Sequence, residues 1–354
     1  MKSKIASIVI SSLLCGVSLP AFADAPVGVR PCCAFGTNLQ TEVGGIPVPF
    51  VSVENVMNIE DLGDHIYNDG SQGVASSLMG FGDESNGIFY SEKGGFLDSA
   101  HIRDTADFTY YLYGEFYKHL GTDFKVTLSP ELKTRIIQLH STSKEYTQAE
   151  RQKISIELAA LMSYRLAQWH EIAQWFGMES VGGFKEYASA FSPEDLYSNM
   201  LGALLASDVI NANPNLDKDA FSTAMTKVIK EKFIELGVGT KEESKAQIKK
   251  MDGVWWDSSK RLPNKWVVIH REYHLGTDLQ PNGFKGETKE SVSTEYEALA
   301  TFMLMPNKND KDFSALPDLL KNKPYWTPSD FQQIADFAKA HDDKELAEKI
   351  TFIN

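Results

Sequence analysis

The sequence predicts a mainly α-helical fold with a minor β-sheet, an α+β protein whose helical core surrounds one buried central helix. The prediction rests on how apolar residues are spaced along the 354-residue chain. Most apolar runs repeat at helical spacing, and residues 158–177 are apolar on almost every side, which is typical of a helix covered by others. Alternating runs typical of strands are few and short.

Start and stop signals divide the chain into elements. Asp98 and Ser192 are good N-caps, and Pro193 suits the first position of the helix that Ser192 would cap. Glycines at 121 and 177 end two of the helical stripes. The predicted helices cover residues 98–121, 148–176, 192–211, 217–236, 240–251, 295–305 and 329–340, and the predicted strands cover 47–56, 124–128 and 266–273.

The first 23 residues have the three parts of a cleavable export signal. Two lysines precede a short apolar run, and Ala21-Phe22-Ala23 forms a cleavage motif. The run lacks the roughly 20 residues that span a bilayer. We therefore expect residues 1–23 to be a signal peptide and the mature protein to be periplasmic or secreted. Cys15 offers a lipid-anchored alternative, although Leu14 stands where that motif needs a small residue.

The charge of the chain argues against nucleic acid as a partner. The chain has 35 basic and 48 acidic residues, and cleavage would remove two lysines, leaving 33 against 48 and a net charge of −15. Such a balance repels nucleic acid and anionic membrane surfaces. No later segment is long and apolar enough for a transmembrane helix. Residues 24–354 are expected to form one mainly helical domain, because a boundary near residue 250 is only weakly marked.

Cleavage leaves two cysteines, Cys32 and Cys33, which are adjacent in sequence. They cannot connect distant parts of the fold. In an oxidising compartment they could form a strained vicinal disulfide or pair with a partner. Two thiols in an N-terminal loop explain them equally well.

The central helix carries the first candidate site, His170 and Glu171. A carboxylate in an apolar setting is costly unless a metal, a cation or a shared proton compensates it. The segment resembles the His-Glu-x-x-His helix of zinc metallopeptidases, in which two histidines bind zinc and the glutamate activates water. It departs from that pattern at Gln174, where the second histidine would stand, so any metal needs other ligands. The alternative is a structural network with Arg165 or Gln174.

A second candidate lies in the first turn of the helix that Asp98 is expected to cap. There His101 meets the positive end of the helix, which favours the neutral imidazole that a metal ligand or general base requires. Arg103 could hold an anionic substrate group, and Asp104 could orient His101. The alternative is a capping cluster that faces solvent.

The third candidate is the helix start at Ser192. Asp195 and Asn199 are four residues apart and share a face of the helix, so both could point into a site. The alternative is that these polar groups do no more than cap the helix.

Four motifs together carry a family resemblance. They are Arg-Pro-Cys-Cys-Ala-Phe-Gly at 30–36, Gly-Gly-Phe-Leu-Asp-Ser-Ala-His-Ile-Arg-Asp at 94–104, Trp-His-Glu-Ile-Ala-Gln-Trp-Phe-Gly at 169–177 and Phe-Ser-Pro-Glu-Asp-Leu-Tyr-Ser-Asn at 191–199. The combination resembles an uncharacterised family of exported bacterial proteins, a domain of unknown function. The resemblance covers most of the mature chain and implies one full-length domain. It supplies no catalytic residues.

These features favour an exported hydrolase with His101, His170 and Glu171 as its catalytic residues. In this hypothesis the same residues bind a divalent metal such as zinc, and Glu171 is a ligand or the base that deprotonates the attacking water. The expected substrate-binding groups are Arg103, Asp195 and Asn199. The alternative from another class is a non-enzymatic envelope protein that binds a ligand or a partner. A metal-free hydrolase with Ser198 as nucleophile is a third reading, and the substrate is not determined by the sequence.

Overall fold

Three long helices form the centre of the structure, a computed structural model that describes residues 23–27, 29–30, 34–43, 46–70, 84–179, 185–283, 288–307 and 313–353. They are α1 (Ser99–His119), α2 (Gln148–Trp175) and α3 (Asp195–Ala212). Each of the three packs against the other two. The described chain is mainly helical with small sheets, which confirms the predicted fold class.

The other elements surround these helices. The remaining helices of the described chain are α4 (Lys218–Leu236), α5 (Lys241–Lys250), α6 (Asp318–Lys321) and α7 (Pro328–Ile353). One sheet has the order β2-β1-β7 and contains β1 (Leu39–Val43), β2 (Ile46–Val53) and β7 (Arg261–Leu262). A second has the order β10-β6-β5 and contains β5 (Phe124–Glu131), β6 (Lys133–Leu139) and β10 (Ala300–Met305). Two antiparallel pairs are β3 (Ile88–Ser91) with β4 (Gly95–Asp98), and β8 (Asp278–Leu279) with β9 (Glu290–Ser291).

Helix α2 is the buried central helix that the sequence predicts. A reciprocal capping box starts it: Thr147 Oγ1 accepts a hydrogen bond from Glu150 N–H, and the Glu150 carboxylate accepts one from Thr147 N–H. From Ile154 onward most of its side chains are buried. Trp169 is fully buried, and its indole N–H donates to the Glu131 carbonyl oxygen at 2.9 Å. Burial of one such aromatic side chain stabilises the fold by roughly 2–3 kcal/mol.

Helices α1 and α3 approach each other closely at Gly202. A Cβ atom at this position would lie only 2.1 Å from the carbonyl oxygen of Ile102. The backbones of the two helices therefore meet without an intervening side chain, which only glycine allows. This contact lies within two turns of the start of each helix, so it holds the first turns of α1 and α3 together.

Two secondary-structure predictions are wrong. The predicted helix over Glu295–Met305 is a short 3₁₀ turn, Glu297–Leu299, followed by strand β10, which pairs antiparallel with β6. Every second residue of β10 is buried, and this period of two outweighs the helical propensity of the segment. The predicted strand over Trp266–Tyr273 is a 3₁₀ turn at Lys265–Val267 and then irregular chain. The guanidinium of Arg271 donates hydrogen bonds to two carbonyl oxygens of this segment, those of Lys265 and Val268.

The sequence did not predict strand β6. Its buried positions include Lys133 and Arg135, so the alternation of apolar and polar residues is hidden. Both cations find partners inside: Lys133 Nζ lies 4.5 Å from the ring centre of Trp326, and Arg135 Nη1 lies 2.8 Å from Glu131 Oε1.

Among the helices of the described residues, none has the length and apolar character that crossing a bilayer requires. This agrees with the expected lack of a transmembrane segment. Residues 1–22, which hold most of the predicted export signal, lie outside the described residues. Cys32 and Cys33 lie outside them as well.

Replacing Gly202 with alanine should destabilise the protein by at least about 2–3 kcal/mol, because the new methyl group collides with the backbone of α1. Chemical denaturation measures the effect. Ser207→Ala on the same helix is the control, since its hydroxyl donates to the Ala203 carbonyl oxygen of its own helix, and it should cost less than about 0.5 kcal/mol. Equal stability of the Gly202 variant and the wild type would contradict the proposed backbone contact.

Candidate metal centre

The first turns of α1 and α3 bring together three buried groups that could hold a metal ion. These are Asp98, His101 and Asp195, and 1%, 5% and 0% of their residue surfaces are exposed to solvent. One ligand atom from each lies within 4.8 Å of the other two. The backbone N–H of Asp98 donates to Ser198 Oγ at 2.8 Å, which fixes the two helix starts against each other.

The contact between His101 and Asp195 has the spacing of two metal ligands. His101 Nε2 lies 3.2 Å from Asp195 Oδ1. The contact is an ion pair when the imidazole is protonated, and neither carboxylate oxygen of Asp195 accepts a hydrogen bond in the described structure. Two ligands at about 2.1 Å from one ion lie about 3.0–3.4 Å apart at octahedral or tetrahedral angles. The observed distance falls in that range.

Asp98 presents one oxygen to the same place. Its Oδ1 caps α1 by accepting from the N–H groups of Ala100 at 2.6 Å and His101 at 3.4 Å, which confirms the predicted N-cap. Its Oδ2 is buried and has no hydrogen-bond partner in the described structure. Capping therefore orients the carboxylate and leaves the second oxygen available.

Asn199 determines which nitrogen of His101 faces Asp195. Asn199 Oδ1 accepts a hydrogen bond from Thr105 Oγ1 at 2.7 Å and lies 3.3 Å from His101 Nδ1. Because this amide oxygen only accepts, the Nδ1 of His101 carries the proton. In neutral imidazole the lone pair is then on Nε2, which is the nitrogen that a metal ligand must offer.

Helix α2 adds Glu171 to the buried acids. Glu171 is 0% exposed, its Oε2 accepts from Phe191 N–H at 2.8 Å, and its Oε1 has no hydrogen-bond partner in the described structure. Phe191 has a φ of 54°, a left-handed conformation that costs a non-glycine residue on the order of 1 kcal/mol. The strained residue directs its N–H at the Glu171 carboxylate and its carbonyl at Glu272 N–H, 2.8 Å away.

Glu194 is the fourth buried acid, and although it occupies the N-cap position of α3, its side chain does not cap the helix. Helix α3 begins at Asp195, not at Ser192, and no side chain caps it. Ser192 Oγ instead donates to Glu194 Oε2 at 2.8 Å, and Glu194 Oε1 is left without a partner in the described structure. The capping explanation of this segment is therefore wrong, and its acids lie inside the protein.

Burial and mutual repulsion raise the pKa of these acids. Burial raises the pKa of Asp98 to about 7 and that of Glu171 to about 8, and the charge of Asp195 adds to both effects. The pKa of Glu194 is also raised, by burial and then by Asp195 and Asp98. The nearby guanidinium of Arg271 donates to the carbonyl oxygens of Ala190, Lys265 and Val268, so these donors do not reach the carboxylates.

The nearest carboxylate that the structure gives His170 is Glu131, which is not one of the acids at the two helix starts. Successive residues of a helix point about 100° apart, and His170 Nδ1 lies 3.6 Å from Glu131 Oε2. Burial lowers the pKa of His170, but the Glu131 carboxylate more than offsets this, so the pKa is raised overall. The rings of His101 and His170 are 6.3 Å apart. A cavity of about 20 Å³ lined in part by these rings and by Asn199 has room for about one water molecule.

The structure does not bring Arg103 to the cluster. Arg103 is 0% exposed and donates to the carbonyl oxygens of Ser85 at 2.7 Å and Leu62 at 2.9 Å. Its guanidinium holds two loops in place. Asp104 does not orient His101, because its carboxylate accepts from the backbone N–H and the guanidinium of Arg30 at 2.8 and 2.7 Å.

The sequence analysis missed a buried ion network around Arg30. Its guanidinium also contacts Asp107 Oδ2 at 2.9 Å and the carbonyl oxygen of Ile66 at 2.7 Å, and forms an ion pair with Glu84. His65 Nε2 lies 2.9 Å from the other oxygen of Asp107. These positions are dispersed along the chain, so no local pattern indicates them. The network fastens the N-terminal segments to α1.

The sequence did contain a signal for Asp98, the candidate ligand that the sequence analysis missed. An acid and a histidine three residues apart at a helix start lie on one face, and the sequence analysis assigned the acid to capping alone. Asp98 caps α1 with one carboxylate oxygen and presents the other oxygen to the cluster. Glu194 was assigned to capping for the same reason.

The structure thus defines a class of protein: a mainly helical protein with four buried acids and a histidine where two helix starts meet a third helix. Residues 20–285 match the family described as "Protein of unknown function (DUF4056)", and the chain belongs to this family. The match includes every residue of the cluster. No curated protein and no solved structure matches the chain.

Glu171→Gln should stabilise the metal-free protein increasingly as pH rises. Glu171 has a pKa of about 8 in the folded protein against 4.5 ordinarily, so its contribution to stability is full below about pH 4.5 and is lost as pH rises through about 8. Glutamine has no such proton to lose. The variant and wild type should unfold alike near pH 5, and the variant should gain more than ~1 kcal/mol near pH 8.

Thermal or chemical unfolding in the presence of a chelator measures this difference. The control is Glu231→Gln, which removes an exposed carboxylate of α4 and should give no pH-dependent difference. A gain of the same size near pH 5 and near pH 8 would show that Glu171 does not carry a raised pKa.

Proposed function

We propose that the protein is an exported, metal-dependent hydrolase whose divalent ion is held by Asp98, His101 and Asp195. The carboxylate of Asp195 carries the proposal. It is fully buried, neither oxygen accepts a hydrogen bond in the described structure, and one oxygen lies 3.2 Å from His101 Nε2. A buried ionised carboxylate without donors costs several kcal/mol, and a cation removes that cost.

The donor set fits a divalent transition metal. It offers one imidazole nitrogen and two carboxylate oxygens, a combination suited to zinc and also to manganese or ferrous iron. Three protein ligands leave at least one position for water, the pattern of catalytic sites, whereas structural zinc sites are closed by four protein ligands. In this proposal His170 is a neighbour of the metal site and not a ligand. Asp98 takes the ligand position that the sequence analysis assigned to His170.

Glu171 is the proposed general base. A bound divalent ion lowers the pKa of its water to near neutral. Burial, and after it the charge of Asp195, raise the pKa of Glu171 to about 8. The same ion would offset the charge of Asp195 and so favour the carboxylate form of Glu171, which can accept the proton of the water. Its Oε1 is the oxygen left without a hydrogen-bond partner.

His170 and Asn199 supply the other two roles that hydrolysis needs. The Glu131 carboxylate favours the protonated form of His170, and a protonated imidazole beside the small cavity can donate to a leaving group. Asn199 Nδ2 is buried without a hydrogen-bond partner in the described structure and can donate to a substrate oxygen. In this proposal the metal ligand His101 and the acid His170 line one cavity with Asn199, and a metal ligand beside an acid favours hydrolysis over ligand binding alone.

Asp195→Asn should abolish divalent-metal binding. The substitution removes the charge but keeps the shape, so affinity should fall by more than the roughly 10–100-fold that losing a supporting hydrogen bond costs. Isothermal titration of chelator-treated protein with zinc or manganese measures it. The same variant should lose all metal-dependent turnover of ester, peptide or phosphodiester substrates.

Asp208→Asn is the matched control for that experiment, because Asp208 is an exposed acid on the same helix. It should bind metal and turn over substrate as the wild type does. Turnover in the control and wild type should vanish with chelator and return with metal. Wild-type protein that binds neither ion, or turnover that survives Asp195→Asn, would refute the proposed centre.

Asn199→Leu should weaken metal binding by roughly 10–100-fold, since it removes the acceptor that keeps the proton on His101 Nδ1. Asn199→Asp retains an acceptor oxygen and should bind metal at least as well as the wild type. Titration of both variants separates positioning of the histidine from simple loss of packing. Equal weakening in both would contradict a role of Asn199 in orienting His101.

A further inference from the structure

The hydroxyl of Thr105 bonds to a different kind of partner from the other helical hydroxyls of the structure. A serine or threonine inside a helix commonly donates to the carbonyl oxygen four residues earlier. Distances of 2.8–3.0 Å show this bond for Thr109, Ser207, Thr223 and Thr226. Thr105 Oγ1 instead donates to Asn199 Oδ1 of α3 at 2.7 Å. The two residues are 3% and 2% exposed, so the bond between α1 and α3 is shielded from water.

The crossing of the two helices places Thr105 and Asn199 opposite each other. The close backbone approach joins Ile102 of α1 to Gly202 of α3. Thr105 follows Ile102 by three residues, and Asn199 precedes Gly202 by three residues. Each side chain is therefore about one turn from the crossing, on the helix face that meets the other helix. The bond follows from the same backbone contact that gathers the proposed metal ligands.

Two donors converge on the amide oxygen of Asn199. Thr105 Oγ1 lies 2.7 Å from Asn199 Oδ1, the usual length of an O–H···O bond. His101 Nδ1 lies 3.3 Å from the same oxygen, which is longer than most N–H···O bonds. The threonine therefore contributes more than the histidine to the orientation of the amide.

That orientation decides what the nitrogen of the amide can do. With its oxygen held by two donors, the amide presents its N–H groups on the other side. Asn199 Nδ2 has no hydrogen-bond partner in the described structure, and Asn199 lines the small cavity together with His101 and His170. The same bond that fixes the oxygen thus keeps a donor available at the cavity.

We infer that Thr105 is a positioning residue, whose hydroxyl keeps the oxygen of Asn199 against His101 Nδ1. This role rests on the proposed metal centre. A rotated amide would bring Asn199 Nδ2 to the imidazole as a donor, and His101 would have to accept at Nδ1 and carry its proton on Nε2. A protonated Nε2 cannot bind a metal, because a ligand must offer a lone pair.

Nuclear magnetic resonance of the imidazole nitrogens tests this role without metal or substrate. Protein with ¹⁵N-labelled histidines is stripped with chelator and held at an alkaline pH at which the histidine signals no longer shift. Spectra that correlate ring nitrogens with ring protons then report which nitrogen carries hydrogen, and loss of the signals in His101→Gln assigns them. We expect the proton on Nδ1 in the wild type and its transfer, wholly or in part, to Nε2 in Thr105→Val.

Two further variants separate the hydroxyl from general packing. Thr105→Ser keeps the donor and should keep the proton on His101 Nδ1. Thr109→Val is the matched control, because it removes another buried threonine hydroxyl of α1, one that contacts the Thr105 carbonyl oxygen and Ser163 Oγ. It should keep the wild-type tautomer while losing stability to a similar degree in thermal unfolding.

Titration of the same proteins with Mn²⁺ measures the consequence for the metal centre. Thr105→Val should bind manganese about tenfold more weakly than the wild type, the lower end of the effect of losing a supporting hydrogen bond. Thr105→Ser and Thr109→Val should bind it as the wild type does. If the valine variant does not fold, Thr105→Ala removes the same hydroxyl and is measured in its place.

The outcomes distinguish failure of this role from failure of the proposed function. A wild-type His101 that carries its proton on Nε2 would overturn the role of Thr105, whether or not any variant folds. So would a valine variant that keeps the proton on Nδ1, or one whose tautomer changes while its manganese affinity does not. A changed tautomer in a protein whose wild type binds no metal would support the orientation by Thr105 and count against the metal centre.

Discussion

The backbone contact between α1 and α3 at Gly202 is the constraint on which the candidate site depends. It lets the first turns of two helices meet with no side chain between them. Asp98 and His101 come from one turn, and Asp195 comes from the other. A larger residue at the crossing would separate these groups by moving whole helices, because packed interiors transmit such displacements.

The close crossing has an electrostatic consequence. Four carboxylates lie within a core of Leu, Ile, Phe and Trp side chains, and the described structure gives five of their oxygens no hydrogen-bond donor. The Arg30 network shows that the same fold can neutralise buried acids when it uses arginine. Among the described residues no arginine donates a hydrogen bond to this cluster, and this difference from the Arg30 network is what motivates the proposed metal centre.

His170 and Glu171 illustrate how far a local pattern can be interpreted. The sequence analysis correctly identified a helix apolar on all sides and inferred that its acid needs compensation. Adjacent residues on a helix diverge by about 100°, and here the two side chains have different neighbours. The charge of Asp195 acts on Glu171, while His170 Nδ1 lies 3.6 Å from Glu131 Oε2 on the sheet.

Local signals determined most of the helices, the fold class and the cap at Asp98, because each depends on residues a few positions apart. Local signals failed where the deciding contact lies far away in the sequence or in another element. Strand β6 has two cations facing inward, because Arg135 pairs with Glu131 and Lys133 packs over the ring of Trp326. The role of Glu194 and Asp195 was decided only by tertiary structure. The same acid-rich sequence can cap a helix that faces water or lie buried against another helix, so the sequence alone does not distinguish the two.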